Sequence, residues 1–366
     1  MKSCYKLGEL IRNIDVKNKD LHCNNLRGLS MTKEFRPSTS NIVGTDLSKY
    51  KIVAQKQFAC DFMSTIRVHK MPIAFNTGKE EILVSPAYAV FEVVDEKIIL
   101  PEYLMMWFSR TEFDRYADFR SDAAIRGGFG WNELCETSIS IPCITDQYKI
   151  VFEYQAITER IALKKKINDN LEATAQAIYR KTFVDDIDAL NLPEYWFYYA
   201  LDDIAKLSAG GDRPAVFSNF QTENCPIPIY SNGIENEGLY GFTDKAKIYE
   251  ESVTVSARGT VGYVFLREEP YVPIVRLISV VPNQNYATAK YLYFALSSID
   301  LHSTGTSQQQ ITVPDFKKRQ ILVPLNSVME DFMSKVEPLF ASIKQNKAEI
   351  RTLSALQSNF LTVLSR

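Results

Sequence analysis

The sequence predicts an α+β protein built by tandem duplication, in which a mixed α/β globule followed by a long helix occurs twice. The two long helices are expected to pack as an antiparallel coiled coil. Three observations carry this. First, Ser140-Ile141-Pro142 leads into a long amphipathic stretch, and 182 positions later Leu322-Val323-Pro324 leads into another. The same offset brings Leu134 onto Phe316, Ile161 onto Ile343 and Leu171 onto Leu353. Second, anchors further upstream keep their order while the offset drifts: Tyr103-Leu104 meets Tyr291-Leu292 at 188, and Leu7 meets Leu201 at 194. The first globule is therefore longer by 12 residues, the difference between 194 and 182. Third, the hydrophobic period changes along each copy, from strand-like alternation in the globules to helical spacing after each proline.

The elements follow in order. Residues 1–143 form the first globule, with strands expected around 58–66, 70–75 and 85–93 and a helix at 101–113. Residues 144–186 form a central spacer helix, with Thr145-Asp146 placed to cap it. Its apolar stripe runs through Ile150, Tyr154, Ile157, Ile161, Ile167, Leu171, Ala175 and Ile178, interrupted by Lys164-Lys165-Lys166 and Asn168. Residues 187–324 form the second globule. A strand at 229–234 ends in an Asn-Gly turn, two strands at 253–265 flank a glycine-bearing turn, a strand covers 273–281 and a helix covers 290–298. Residues 325–366 are the second spacer helix.

In that last helix, Phe332, Val336, Leu339, Ile343, Asn346, Ile350, Leu353, Gln357, Phe360 and Leu364 are spaced alternately four and three apart, a heptad seam with two polar breaks. Pro338 sits inside the pattern and predicts a kink or a restart. Mutual packing of two related stripes is the simpler solution, against the alternative that each helix covers only its own globule. A stretch of about 40 helical residues spans roughly 60 Å.

The globule loops carry polar groups suited to base edges and phosphates. These are Arg67, Lys70, Asn76 and Lys79 in the first copy, and Arg213, Ser231, Asn232, Ser256, Arg258 and Thr260 in the second. Arginine and asparagine read guanine and adenine edges through paired hydrogen bonds. An arginine on a turn can equally cap that turn or pair with an acid.

Composition narrows the class without selecting it. An apolar share of 46% with 12% aromatics fits a globular chain. Six scattered cysteines with no CxxC pair fit reduced thiols, hence a cytoplasmic protein. No signal peptide or membrane span is expected. Net charge is −2, and neither globule is basic: residues 1–140 hold 19 Lys+Arg against 18 Asp+Glu, and residues 185–323 hold 11 against 17. A DNA-binding face would then be a local patch. No phosphate-cradling loop is present, since Gly78-Lys79 is followed by Glu80. Pro314-Asp315 lacks the acid-x-Lys of a nuclease, and three histidines make a nucleophile–base pair improbable. No catalytic residue, metal ligand or bound cofactor is assigned.

The chain closely resembles the specificity subunit of type I restriction-modification systems. The resemblance is carried by Leu192-Pro193-Glu194-Tyr195-Trp196, Leu201, Asp203, Ile204, Gly210 and Gly211. It continues through residues 255–262 (VSARGTVG) and 305–311 (GTSQQQI), and in the first half through residues 84–88 (VSPAY), 126–131 (RGGFGW) and Ile141-Pro142. It implies a non-catalytic subunit whose two globules each read one half of a bipartite site in double-stranded DNA. The helices would set the gap and dock two methyltransferase subunits, and through them restriction (ATP-dependent translocase/nuclease) subunits. Packing and docking would fall to Ile150, Tyr154, Ile157, Ile161, Leu171, Phe332, Val336, Leu339, Ile343, Ile350 and Leu353. S-adenosylmethionine, ATP and Mg would belong to the partners. The alternative is a scaffold protein with coiled-coil helices and protein-binding globules.

Overall fold

The computed structural model describes residues 3–38, 44–64, 69–122, 129–185, 187–188, 190–299 and 311–364. They form two compact units, 1–165 with 347–366, and 166–346.

The first unit is organised around a four-stranded antiparallel sheet. Its strands run in the order Ile11–Ile14, Ala89–Val93, Gln57–Cys60 and Ile73–Phe75. Phe58 faces Phe91 in register, and their rings stack at 4.9 Å between centroids. Phe108, from the helix Pro101–Phe108, closes edge-on over both. Fully burying side chains of this size is worth about 1.5–3 kcal/mol each, which is why this sheet face is the core. A two-stranded ribbon pairs Ser3–Lys6 with Ser138–Ile141 and closes the globule where the chain enters the helix Ile144–Phe183.

The second unit repeats the plan. Its sheet order is Ala205–Ala209, Ile278–Pro282, Ser252–Val255 and Val264–Arg267, again all antiparallel. Phe197–Ala200 pairs with Gln320–Val323 as the closing ribbon before the helix Asn326–Val363. The helix Ala289–Ser297 takes the place of Pro101–Phe108 and is capped by Thr288, whose hydroxyl accepts from Tyr291 N at 3.2 Å. The additions differ. The first unit carries a hairpin, Arg27–Leu29 with Phe35–Pro37, and a ribbon, Lys51–Val53 with Ile82–Val84. The second carries a three-stranded sheet of Leu239–Thr243, Ile227–Tyr230 and Val272–Pro273.

Both units contain a stretch of paired antiparallel helix. In the first, Tyr154 meets Phe360 with ring centroids 6.2 Å apart, Gln357 donates to Thr158 at 2.7 Å, and Glu349 accepts from Arg160 and Lys164. In the second, Asn346 meets Asn168, and Tyr179 and Phe183 pack on Phe332. Each step forward on one helix is met by a step back on the other.

Several expected boundaries are corrected. The central helix begins at Ile144, ahead of Thr145-Asp146; Asp146 lies in the first turn, where its carboxylate accepts from the Cys143 thiol at 3.2 Å. The stripe expected through Ile167 instead follows the inward positions Ile161, Lys164, Asn168 and Leu171, leaving Ile167 37% exposed. The helix runs without a restart through Pro338. The strand expected at 85–93 begins only at Ala89, because Pro86 lacks a donor and Tyr88 N turns back onto Ser85 O. The helix expected at 101–113 breaks after Phe108, where the Ser109 hydroxyl donates to Met105 O and Arg110 Nε donates to Trp107 O. The strand expected at 273–281 is broken by a turn at Val275-Arg276.

Candidate nucleic-acid interface

The polar residues picked out in the second globule converge on one edge of that unit, and Asn232 is the tie. Its Nδ2 donates to Val275 O at 2.5 Å, and its Oδ1 accepts from Ala257 N at 2.8 Å. The side chain therefore joins three loops through their backbones. Ser231 sits beside it, half-buried, with its own N–H donating to Gly238 O.

One of those loops links strands Ser252–Val255 and Val264–Arg267. Ser256 N donates to Tyr263 O and Gly262 N donates to Ser256 O, each at 2.9 Å, so the loop closes on itself. Gly259 and Gly262 take left-handed conformations, φ +75° and +90°, which a residue with a Cβ adopts only at a cost. Arg258 and Thr260 are thereby carried on the exposed tip. Ser256 is not: it is buried, and its hydroxyl finds no partner among the described residues. Its expected role at a base edge is corrected, because the hydroxyl is enclosed.

A second loop is the turn 274–277, closed by Leu277 N donating to Ile274 O at 3.0 Å. Val275 and Arg276 sit at φ 53° and 61°. Two consecutive positive φ angles define a type I′ turn, which normally selects Asn-Gly. Here the conformation is imposed from outside, by Val275 N donating to Gly211 O and Arg276 N to Gly210 O. A Cβ on Gly210 would stand 2.7 Å from Pro273 C and Ile274 N, so only glycine allows this approach. Lys247 Nζ lies 4.0 Å from where a Gly211 Cβ would be, and the Arg213 guanidinium lies 4.7 Å over the Phe217 ring.

Two cations of this unit are buried and held by carboxylates. Arg267 is buried between Tyr230 and Phe265 and reaches Glu237; burial draws its pKa below the ordinary arginine range. Lys290 has a 3% exposed side chain surrounded by Glu251, Glu268 and Glu337. Burial opposes its charge, yet the three carboxylates together raise its pKa. In contrast, Arg213, Lys247, Arg258 and Arg276 are exposed and take part in no ion pair among the described residues. Arg276 and Lys247 were not foreseen. The Gly210-Gly211 pair is the one sequence signal that could have pointed to a backbone approach there.

In the first unit, Arg67 lies outside the described residues, as do 126–128 and, in the second copy, 305–310. Lys70 is exposed beside His69, whose Nδ1 is 2.9 Å from Asp118 Oδ1. Lys79 is exposed on a turn. Asn76 is corrected as a base reader. It is buried, its Nδ2 donates to Val53 O and Glu80 O, and its Oδ1 accepts from Gly78 N at 3.0 Å. It frames the turn that carries Lys79.

The helix residues assigned to packing and docking face inward. Phe332 and Val336 are fully buried, Ile343 and Ile161 nearly so, and Ile150, Tyr154, Ile157, Leu171, Leu339, Ile350 and Leu353 are half-buried. Docking through these positions is corrected for the buried ones, since they are already covered within their own units. The central helix instead exposes Tyr148, Phe152 and Leu163 by 60%, 74% and 60%. No helix among the described residues is long and apolar enough to cross a membrane. No cluster of three or more potential metal ligands occurs among them either.

These features define a duplicated α+β protein with paired helices and, in its second unit, a loop edge that carries exposed basic side chains. The chain is similar to type I restriction-modification specificity subunits, and its residues 193–352 match the family described as "Type I restriction modification DNA specificity domain". It is 37% identical over 145 residues to one type I specificity subunit of Mycoplasma pneumoniae, covering 39% of this chain and 43% of that one. To another from the same organism it is 32% identical over 207 residues, covering 57% and 56%. The matched region thus spans about half the length of these curated relatives. A type I restriction-modification S subunit from M. genitalium shares the fold, with a TM-score of 0.57 at 12% identity over 100% of this chain and 96% of that one.

Proposed function

We propose that this chain is the DNA-reading subunit of a type I restriction-modification complex. Each globule reads a few base pairs in one half of a bipartite duplex site, and the long helices set the gap between the halves. The observation that carries this is the repeated sheet order with unlike additions: one scaffold, used twice, presents two different loop sets. Two different loop sets suit two different half-sites. The match of residues 193–352 to the type I DNA specificity domain supports the same function.

The outward faces of the helices dock two methyltransferase subunits, and through them restriction subunits. S-adenosylmethionine, ATP and Mg are handled by those partners, and this chain supplies position and specificity. Half-sites about one helical turn apart, on the order of 34–36 Å, fit a spacer of roughly 60 Å.

The test is a map of modified adenines in the native host with and without this gene. Loss of methylation at one bipartite motif with a fixed gap supports the proposal, and an unchanged map refutes it. Shortening both helices by two turns is expected to change the gap and spare the half-sites. A gap that stays the same would remove the spacer role.

A further inference from the structure

We infer that the Val275-Arg276 turn is a base-reading element of the second globule, with Arg276 setting the identity of one base pair in its half-site. The inference rests on the DNA-reading function proposed above. Three independent observations lead to it.

The first is conformational. A β-branched residue at φ 53° is disfavoured, and Val-Arg is not a pair that selects a type I′ turn. Such strain persists only where the surroundings over-determine it, and it concentrates where a protein presents something. Here Gly210, Gly211 and Asn232 supply three hydrogen bonds to the backbone of just two residues, Val275 and Arg276.

The second is electrostatic. In a globule with 11 basic against 17 acidic residues, the buried cations Arg267 and Lys290 have acquired carboxylates. Arg276 stays exposed and without an ion pair among the described residues. A guanidinium left without an acid in an acidic domain is placed for an anion or acceptor from outside.

The third is shape. A two-residue turn is a narrow tip, and this one is fixed at its backbone while its side chains remain exposed. An arginine held this way can offer its planar fork to guanine O6 and N7, a geometry that lysine lacks. The Arg258 and Lys247 charges on the same edge then suit flanking phosphates.

The decisive experiment uses the full chain assembled with its methyltransferase subunits, and duplexes bearing the site given by the host methylation map. Binding is measured for the cognate duplex and for duplexes replaced one base pair at a time. Arg276→Ala and Arg276→Lys are both expected to lose roughly ten- to hundredfold discrimination at one base pair of one half-site. The other half-site and the gap should keep their preferences. If Arg276→Lys keeps full discrimination while Arg276→Ala weakens all duplexes evenly, Arg276 is a phosphate contact and the inference is overturned. Unchanged discrimination in both variants overturns it too. A wild-type complex that prefers no sequence at all is a separate failure, that of the DNA-reading function itself.

Discussion

Asn346 Nδ2 donates to Asn168 Oδ1 at 2.8 Å, so the polar breaks in two hydrophobic stripes meet each other. Asn346 is 7% exposed, and an apolar neighbour there would leave its amide without this partner. Asn168→Leu is therefore expected to cost about 1–3 kcal/mol. The double variant Asn168→Leu with Asn346→Leu should cost less than the sum of the two single changes, because it removes both polar groups together. Denaturant midpoints of the four proteins give the coupling, and strictly additive losses would mean that the amides do not support one another.

Acid should loosen the helix pair of the first unit. Hydrogen bonds from Lys164 and Arg160 hold the Glu349 carboxyl below its ordinary value of 4.5. A carboxylate with a depressed folded-state pKa contributes stability above its unfolded pKa, and that contribution fades as pH falls through the lowered value. The thermal midpoint of the wild type should exceed that of Glu349→Gln at neutral pH, with the difference shrinking below about pH 4.5. A difference that ignores pH would rule out the ion pairs as its source.

Gln147 anchors the start of the central helix to its globule. It is fully buried, its Oε1 accepts from Leu100 N at 2.9 Å, and its Nε2 donates to Ile98 O and Pro142 O. Gln147→Leu keeps the bulk and strands those three backbone groups. A loss of about 1–3 kcal/mol is expected by denaturant unfolding. Hydrogen exchange should quicken first at Leu100.

Gly210→Ala tests the close approach beneath the strained turn. The added methyl would stand 2.7 Å from backbone atoms of Pro273 and Ile274, which cannot swing aside as a side chain could. A cost of about 1–3 kcal/mol is expected. Gly259→Ala, at φ +75° with nothing within 4 Å, should show only the smaller cost of a left-handed alanine.

The duplication, the two long helices and the C-terminal seam were legible because each is a long-range pattern that survives local irregularity. The central seam was misread between Ile161 and Leu171 because Ile167 is apolar, while the true inward positions carry Lys164 and Asn168. Polar residues can occupy a seam when a partner waits opposite, as Glu349 and Asn346 do. That pairing is a property of two segments far apart in sequence.

The candidate site was legible only in part. Asn76, Asn232 and Ser256 belong to the residue types that touch bases, yet two of them hold backbone and the third is enclosed. The same amide chemistry serves both uses, so residue type alone does not separate them. Arg276 was hidden because its turn is set by neighbours 65 or 66 residues upstream, at Gly210 and Gly211, and by Asn232.

Asn232 grips the N–H of one loop and the carbonyl of another, and never the side chains those loops display. Whatever stands at 258, 260 or 276 could be exchanged without disturbing the frame that holds it. New preferences could then arise by single substitutions at the rim while the scaffold goes on folding as before. Evolvability would here be a matter of which atoms do the holding.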